Sequence, residues 1–357
     1  KNVLKPGSGN PIVNLKLDII LGCYWATALK DNSQGNGDIF SSPEEAITAY
    51  NFGQLDLRAK IKVLVPPTEK FAGLHGQLLE TSVGRMLFNE TLPNDFSFFN
   101  KEVTVKEVNR IVEELIDRYG IAQITITLDR VKTFGFRQAT ASGVTWGIDD
   151  VLVPTAKPEI VEAALREAEK LADEYNQGLL SADERYRMSI LLWTTTKNKI
   201  EKILLNELDP HGSVFAMLSS GARGSSGQVS QMAGMKGLII NPAGHLIDFP
   251  IIPSYKEGLS PLEYFITTHG SRKTLTDTAL NTAKAGYLTR RLVYVAENMI
   301  VTEEDCGETE GQIVSTANLS GFDRSLSRLL WGRVLAKDLK SPEGNLLFRK
   351  GHLLTHP

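Results

Sequence analysis

Small side chains share one face of a long helical pattern in the C-terminal half of the sequence. At helical spacing, positions i, i+3, i+4 and i+7 are neighbours, and here they are Ala279, Thr282, Ala283 and Gly286. A face without bulk lets a flat, wide group such as a base pair come close to the helix backbone. Charges suited to phosphates stand towards the two ends of the same stretch: Arg272, Lys273, Lys284, Arg290 and Arg291. The pattern is compatible with contact with a nucleic acid.

A second interpretation of this stretch stays open. Small residues also let another helix pack closely, and Arg290 and Arg291 would then complement the dipole at the helix C-terminus. The formal net charge of -3 does not decide between the two, because a nucleic-acid surface on such a chain must be local.

A loop rich in glycine and serine, "SSGARGSSGQVSQMAGMKGL", is a second place for phosphate chemistry. It holds five glycines between Gly221 and Gly237, which lets backbone amides approach a phosphate, and Arg223 adds a planar fork of donors. The spacing is not that of a Walker loop. The alternative is a flexible turn that leads into a helix beginning near Ser226.

Composition excludes several classes of protein. The chain has 357 residues, 42% of them hydrophobic and 23% charged, which is typical of a folded globular protein. Cys23 and Cys306 are far apart and form no CxxC pair, which favours a reducing compartment and leaves any zinc site incomplete. No apolar run reaches the ~20 residues that span a bilayer, so no membrane partner is expected. The missing initiator methionine and the abrupt end suggest a piece of a longer chain.

Local signals predict the elements that hold these residues. "SSPEEAITAYNFG" has the serine cap and early proline of a helix, "LRAKIKVLV" alternates like a strand, and "PIVNLKLDIILGCYW" is a strand-like or buried apolar run. "TVKEVNRIVEELIDRYG" predicts an amphipathic helix that stops at Gly120.

Two further helical stretches, joined by "NQGLLS", predict an exposed antiparallel hairpin over about residues 160–205. Ser260, Pro261 and Glu263 form a capping box that starts a long helix over about 261–298. We therefore expect an α+β, predominantly helical, multi-domain segment. The predicted domains are residues 1–150 of mixed α+β structure, 151–230 with the hairpin, and 231–357 with the long helix.

The same stretches resemble one family. "THGSRKTLTDTALNTAKAGYLTRRLV" resembles the bridge helix of the largest catalytic subunit, beta-prime, of bacterial multi-subunit DNA-directed RNA polymerases. "SGARGSSGQVSQMAGMKGL" is similar to the family's F-loop, and "VTEEDCGETEG" to the segment after the bridge helix. "GFRQATASGVTWGIDD" and "NQGLLSADERY" resemble the rim of its secondary channel. The likeness covers essentially the whole chain in the same order.

The resemblance implies roles for individual residues. Thr282 and Ala283 would lie beneath the templating base pair, and Arg223 would contact the triphosphate of the incoming nucleotide. Basic residues would position the template strand without reading its sequence: Lys284, Arg290 and Arg291. A hinge at the start of the helix would comprise His269, Arg272, Lys273 and Thr274. Cys306 matches one of four zinc ligands, so that the zinc site is incomplete here.

The resemblance also implies the setting. The activity would be template-directed RNA synthesis by a cytoplasmic, nucleoid-associated nucleotidyltransferase, with Mg²⁺ held by residues outside this chain, which alone would be inactive. The partners would be template DNA, the RNA–DNA hybrid, nucleoside triphosphates, the beta, alpha and omega subunits, and the rest of beta-prime. Regulators of the secondary channel would dock at the hairpin tip, from Gln177 to Glu184. The alternative is a non-catalytic scaffold or regulatory module with the same fold.

Two departures from the family pattern carry expectations of their own. Thr274 replaces a usual glycine and, with Asp277, could form a local capping box that stiffens or restarts the helix. Ser230 replaces an arginine of the F-loop and leaves that element with fewer charges.

Overall fold

The structure described is a computed structural model, and it covers residues 4–5, 11–72, 74, 76–303, 307, 310–315, 325–330, 332–341 and 344–354. The chain divides into two compact units, Leu15–Thr282 and a smaller one made of Lys1–Asn14 and Ala283–Pro357. The division falls inside one long helix, α9 (Pro261–Ala296), which contributes its first part to the larger unit.

Most of the larger unit is helical. Its described helices and strands, in chain order, are α1 (Asp18–Thr27), β1 (Ile39–Phe40), α2 (Pro43–Asn51), β2 (Ile61–Leu64), β3 (Leu78–Thr81), α3 (Val83–Glu90), α4 (Val105–Ser142), α5 (Lys157–Asn176), α6 (Ala182–Glu207), α7 (Ser213–Ser220), α8 (Ser226–Ala233) and the start of α9. The smaller unit contains the rest of α9, the short α10 (Leu326–Leu330) and the antiparallel strands β4 (Leu339–Lys340) and β5 (Leu346–Phe348).

Helices α1 and α4 pack against each other at the main core. Ile20 and Cys23 of α1 join a buried cluster with side chains of α4, among them Leu115 and Val131. The apolar run that contains α1 was expected to be strand-like or buried: its second half, from Ile20 in α1, is largely buried, whereas Ile12, Val13 and Leu17 before the helix are exposed, and the strand-like alternative was wrong. An unbroken apolar run has no alternation, so it suits a buried helix as well as a buried strand.

Glycines allow the close approach of α1 and α4. A β-carbon at Gly22 would overlap the carbonyl oxygen of Gly135, and one at Gly135 would overlap the carbonyl oxygen of Ile19. Neither glycine has a positive φ, so the reason for glycine here is the lack of space between the two backbones.

The substitution Gly22→Ala is expected to lower the free energy of unfolding by about 2 kcal/mol, because an added methyl group forces the helices apart. Urea-induced unfolding of the chain, followed by circular dichroism, measures the change. Gly227→Ala is the matched control, since a β-carbon built at Gly227 meets no described atom within 4 Å apart from its chain neighbours and the adjacent backbone of its own helix. Equal stability of the two variants would contradict the packing argument.

The three-stranded sheet has the order β1–β2–β3, with β1 and β2 parallel and β2 and β3 antiparallel. Ile61 and Val63 of the middle strand are buried whereas Lys62 and Leu64 are exposed. The alternation predicted for this strand is confirmed.

Gly120 interrupts α4 without ending it. Its φ of 70° and ψ of 176° break the helical geometry, but the helix resumes and continues to Ser142, before Gly143 in a left-handed conformation. The helix predicted to stop at Gly120 loses its helical geometry at that residue, so the prediction is confirmed, and a second helix follows directly within α4. The predicted start is confirmed, because the Thr104 hydroxyl oxygen accepts a hydrogen bond from the Glu107 amide.

Helices α5 and α6 form the predicted antiparallel hairpin. Ala164, Trp193 and Ile200 lie in a buried cluster at its base, together with Met235 from the segment after α8. The predicted α+β, predominantly helical class is confirmed. The domain limits at residues 150 and 230 stay a prediction. Among the described residues, no helix is long and apolar enough to cross a membrane.

Candidate nucleic-acid interface

The start of α9 follows local capping chemistry. The Ser260 amide donates to the Glu263 carboxylate over 2.9 Å, and the Glu263 amide donates to the Ser260 hydroxyl over 3.3 Å. Pro261 is the first residue of the helix, where its missing N–H costs nothing. The capping box and the long helix predicted at about 261–298 are both confirmed.

The first turns of α9 rest on the segment that follows α8. Thr267 is buried, Gly270 packs near Ile239, and the Lys273 ammonium donates to the Pro242 carbonyl over 3.4 Å. This anchors the N-terminal part of the helix within the larger unit.

Beyond these turns the helix surface is open. Every residue from Thr274 to Ile300 is exposed, including large apolar side chains such as Leu275 and Tyr287. Ala279, Thr282, Ala283 and Gly286, here called the small-residue face, are therefore covered by none of the described residues. Close packing of another helix, the alternative drawn from the sequence, is not seen in the described part of the chain.

Threonines along α9 bond to their own helix. The hydroxyls of Thr274, Thr278 and Thr282 each donate to the carbonyl four residues earlier, over 3.0, 2.8 and 2.6 Å. Such bonds satisfy the hydroxyl hydrogen within the helix and leave the methyl group facing outward.

Thr274 does not restart the helix. The expected local cap with Asp277 is wrong, because the Thr274 hydroxyl donates to the Gly270 carbonyl inside a continuous helix and Asp277 instead pairs with Lys273 at 3.9 Å. The other residues of the predicted hinge lie on the same turns: Arg272 is exposed, and the partly buried His269 ring contacts Phe265 edge-on.

Helical spacing separates the basic residues into two groups. Arg272 stands seven residues before Ala279 and Arg290 seven after Ala283, which is about two turns, so both continue the small-residue face. Lys284 follows Ala283 by one residue and Arg291 follows Arg290 by one residue, so both point away from the small-residue face. The Arg291 guanidinium lies over the Tyr287 ring at 4.5 Å. Arg290 is thus the C-terminal arginine best placed beside the face.

Arg223 lies in the short loop between α7 and α8. Gly221 and Gly224 have φ of 72° and 89°, a conformation that favours glycine, so the predicted glycine turn has a structural reason. Ser225 and Gln228 form a capping box at the start of α8, and the helix predicted near Ser226 is confirmed.

The Arg223 side chain is exposed and lines an open cleft of about 750 Å³. The rest of the lining is largely apolar and includes Trp146, Val214, Met217, Met232 and Tyr255. The cleft places the Arg223 cation beside an apolar wall, an arrangement suited to an anionic group attached to a flat or apolar one.

Ser230 is fully buried in α8, and its hydroxyl has no hydrogen-bond partner among the described residues. The expectation that Ser230 leaves this element with fewer charges stays a prediction.

The hairpin tip presents exposed side chains, including Leu179. The Glu184 carboxylate accepts hydrogen bonds from the Ser181 amide and hydroxyl, which lower the pKa of Glu184 and keep it charged. The docking of regulators here stays a prediction.

Contacts that the sequence did not predict tie the hairpin to the segment that leads to α9. The Lys157 ammonium pairs with the Glu257 carboxylate, and the Tyr186 hydroxyl donates to the Leu246 carbonyl over 2.9 Å. The pattern Ser254-x-x-Glu257 is a capping signal that marked the turn at Glu257, but nothing near Lys157 in the sequence indicated its partner.

Mg²⁺ was expected to be held outside this chain, and one ligand of an incomplete zinc site was expected within it. No group of three or more His, Cys, Asp or Glu side chains in the described part of the chain could hold a metal ion. Cys306, the expected zinc ligand, lies outside the described residues.

Comparison with known proteins gives one consistent family. Three models match in chain order: RNA polymerase Rpb1, domain 3, at residues 2–151, domain 4 at residues 165–257, and domain 5 at residues 258–323. Two relatives, both called DNA-directed RNA polymerase subunit beta', are similar along nearly the whole chain. The one from Thermoanaerobacter sp. (strain X514) is 40% identical over 99% of this chain, and the one from Acidothermus cellulolyticus is 43% identical over 98%.

The chain spans 31% and 28% of the length of those two relatives. The three family models cover the capped start of α9, the loop of Arg223 and the hairpin from residue 165 onwards. These are the elements to which the sequence pattern pointed. The chain belongs to the family of RNA polymerase largest subunits, Rpb1 and beta'.

Proposed function

We propose that this chain works in template-directed RNA synthesis as part of the catalytic core of a multi-subunit polymerase. The observation that carries the proposal is the long, capped helix α9, whose small-residue face is exposed where the family resemblance expects a base pair. Thr282 and Ala283 would support the templating pair, because short side chains leave the space that a flat pair needs.

The charged residues would act on phosphates. Arg290, and more distantly Lys284 and Arg291, would hold the template backbone without reading bases. Arg223 would neutralise part of the triphosphate charge, and phosphoryl transfer depends mainly on such positioning and charge. Turns around His269, Arg272 and Lys273 would form the hinge.

Mg²⁺ would supply charge neutralisation for the transfer, held by residues elsewhere in the assembly. The described residues do not fit a site for Mg²⁺ or Zn²⁺. The other partners would be template DNA, the RNA–DNA hybrid, further polymerase subunits and regulators at the hairpin tip, in a cytoplasmic, nucleoid-associated enzyme.

Photo-crosslinking in the assembled enzyme tests the proposal. A template strand that carries 4-thiothymidine at the templating position is expected to crosslink to residues 279–286, as mapped by mass spectrometry. The same base placed well upstream in the template is the control and should not label this peptide. Active RNA synthesis with no crosslink to α9 would reject the proposed role, and would favour a scaffold.

A further inference from the structure

An ion pair between a buried lysine and an exposed glutamate joins the base of the hairpin to the residues just before α9. Lys157 is the first residue of α5, and its side chain is only 5% exposed. Its ammonium donates to the carboxylate of Glu257, 100 residues later in the chain. Burying a lysine without a partner is costly, so this contact holds the two segments together.

Glu257 is fixed from its own side as well. The same carboxylate oxygen accepts hydrogen bonds from the amide and the hydroxyl of Ser254, each over 2.7 Å. Burial opposes the charge on Glu257, but the hydrogen bonds from Lys157 and Ser254 outweigh it and lower the pKa of Glu257. The carboxylate therefore stays charged at neutral pH.

The turn at Glu257 leads directly into α9. Ser260, whose capping box starts the helix, is three residues further on. Two backbone bonds hold the same turn to the end of α8, from the Tyr255 amide to Gln231 over 3.1 Å and from the Lys256 amide to Met232 over 2.9 Å. The start of α9 is thus held by α8 through the backbone and by the hairpin through Lys157.

A second set of contacts ties the other helix of the hairpin to the same region. Ser189 donates to the Asp248 carboxylate over 2.5 Å, and Arg185 pairs with Asp248 at 3.4 Å. These contacts involve residues further from α9. Among these contacts, the one made by Lys157 therefore lies nearest to α9, because its partner Glu257 is only three residues before Ser260, which caps the helix.

We propose that the Lys157–Glu257 ion pair is a positioning contact that fixes the first turns of α9 relative to the hairpin and so sets the rate of nucleotide addition. The effect on nucleotide addition rests on the proposed function. Neither residue touches the nucleotide, so both act through the placement of α9.

Lys157→Met in the assembled polymerase tests the contact. Methionine keeps the length and the apolar stem but removes the charge, so amide hydrogen exchange in residues 258–267 should become about tenfold faster. Exchange around Trp193 in α6 should not change. The maximal rate of nucleotide addition should fall about tenfold while the nucleotide concentration for half-maximal rate stays the same, since neither Lys157 nor Glu257 lines the cleft of Arg223.

Three variants complete the design. Lys157→Arg keeps the charge and should restore both exchange and rate. Lys132→Met removes an exposed lysine that pairs with Asp129 and should change neither. Glu257→Gln should reproduce the effect of Lys157→Met on both exchange and rate. If the Lys157→Met chain does not assemble into the polymerase, the exchange and rate of Glu257→Gln test the proposal instead.

Unchanged exchange in Lys157→Met and Glu257→Gln would overturn the proposal, as would a loss of rate that Lys157→Arg does not restore. Faster exchange with a normal rate would overturn the link to nucleotide addition. An unmodified assembly that makes no RNA would instead reject the proposed function.

Discussion

Replacing Ala283 with leucine in the assembled polymerase is expected to slow nucleotide addition by about 10²-fold or more while assembly stays intact. The exposed position tolerates a larger side chain within the chain itself, so folding is not threatened. The added bulk would occupy the space proposed for the templating pair, and a displacement of about 1 Å at a reacting centre is enough for such a loss. Single-turnover extension of a synthetic RNA–DNA scaffold measures the rate.

Ala285→Leu is the matched control for that substitution. Ala285 is two residues further along α9, which turns its side chain to nearly the opposite side of the helix, and it is equally exposed. Leucine is a good helix former in both places, so helix stability does not differ. Normal elongation by Ala283→Leu, or equal slowing by both variants, would remove the proposed role of the small-residue face.

Arg223→Ala is expected to raise the nucleotide concentration needed for half-maximal rate by about 10- to 100-fold, because charge-assisted hydrogen bonds to the triphosphate are lost. Steady-state extension across a range of nucleotide concentrations measures it. The exposed Arg223 supports no other described side chain, so the fold should be unaffected.

Two comparisons sharpen the Arg223 experiment. Arg223→Lys keeps the charge but loses the planar fork, and should give an intermediate value. Arg166→Ala removes an exposed arginine of the hairpin, paired with Glu162 at 3.5 Å, and should have no effect without a bound regulator. An unchanged half-maximal concentration in Arg223→Ala would exclude the triphosphate contact.

Local capping chemistry made much of the fold predictable. Ser42, Ser181 and Ser260 each cap a helix with a glutamate three residues later, and all three predicted helices begin there. Such signals depend only on neighbours in the chain. The small-residue face was visible for the same reason, because helical spacing alone groups its members.

Long-range packing could not be predicted in the same way. The helix α1 packs closely against α4 because Gly22 leaves room for the backbone at Gly135, a contact more than 100 residues away in the sequence. The burial of Lys157 depends on its contact with Glu257, 100 residues later in the chain. From the sequence alone a lysine is expected to be exposed, because lysines are rarely buried without a partner. The cap predicted at Thr274 was wrong because its hydroxyl donates to the Gly270 carbonyl within the helix instead of accepting a hydrogen bond from a backbone amide.

In the proposed role, the inward-turned hydroxyls of α9 would have a consequence for fidelity. The Thr278 and Thr282 hydroxyls donate their hydrogens to backbone carbonyls, so this surface offers methyl groups where a discriminating donor would otherwise stand. A support of that kind would treat A·T and G·C pairs alike. In a polymerase, the choice of the correct nucleotide would then fall to complementarity between the bases, and the helix would judge only their shape.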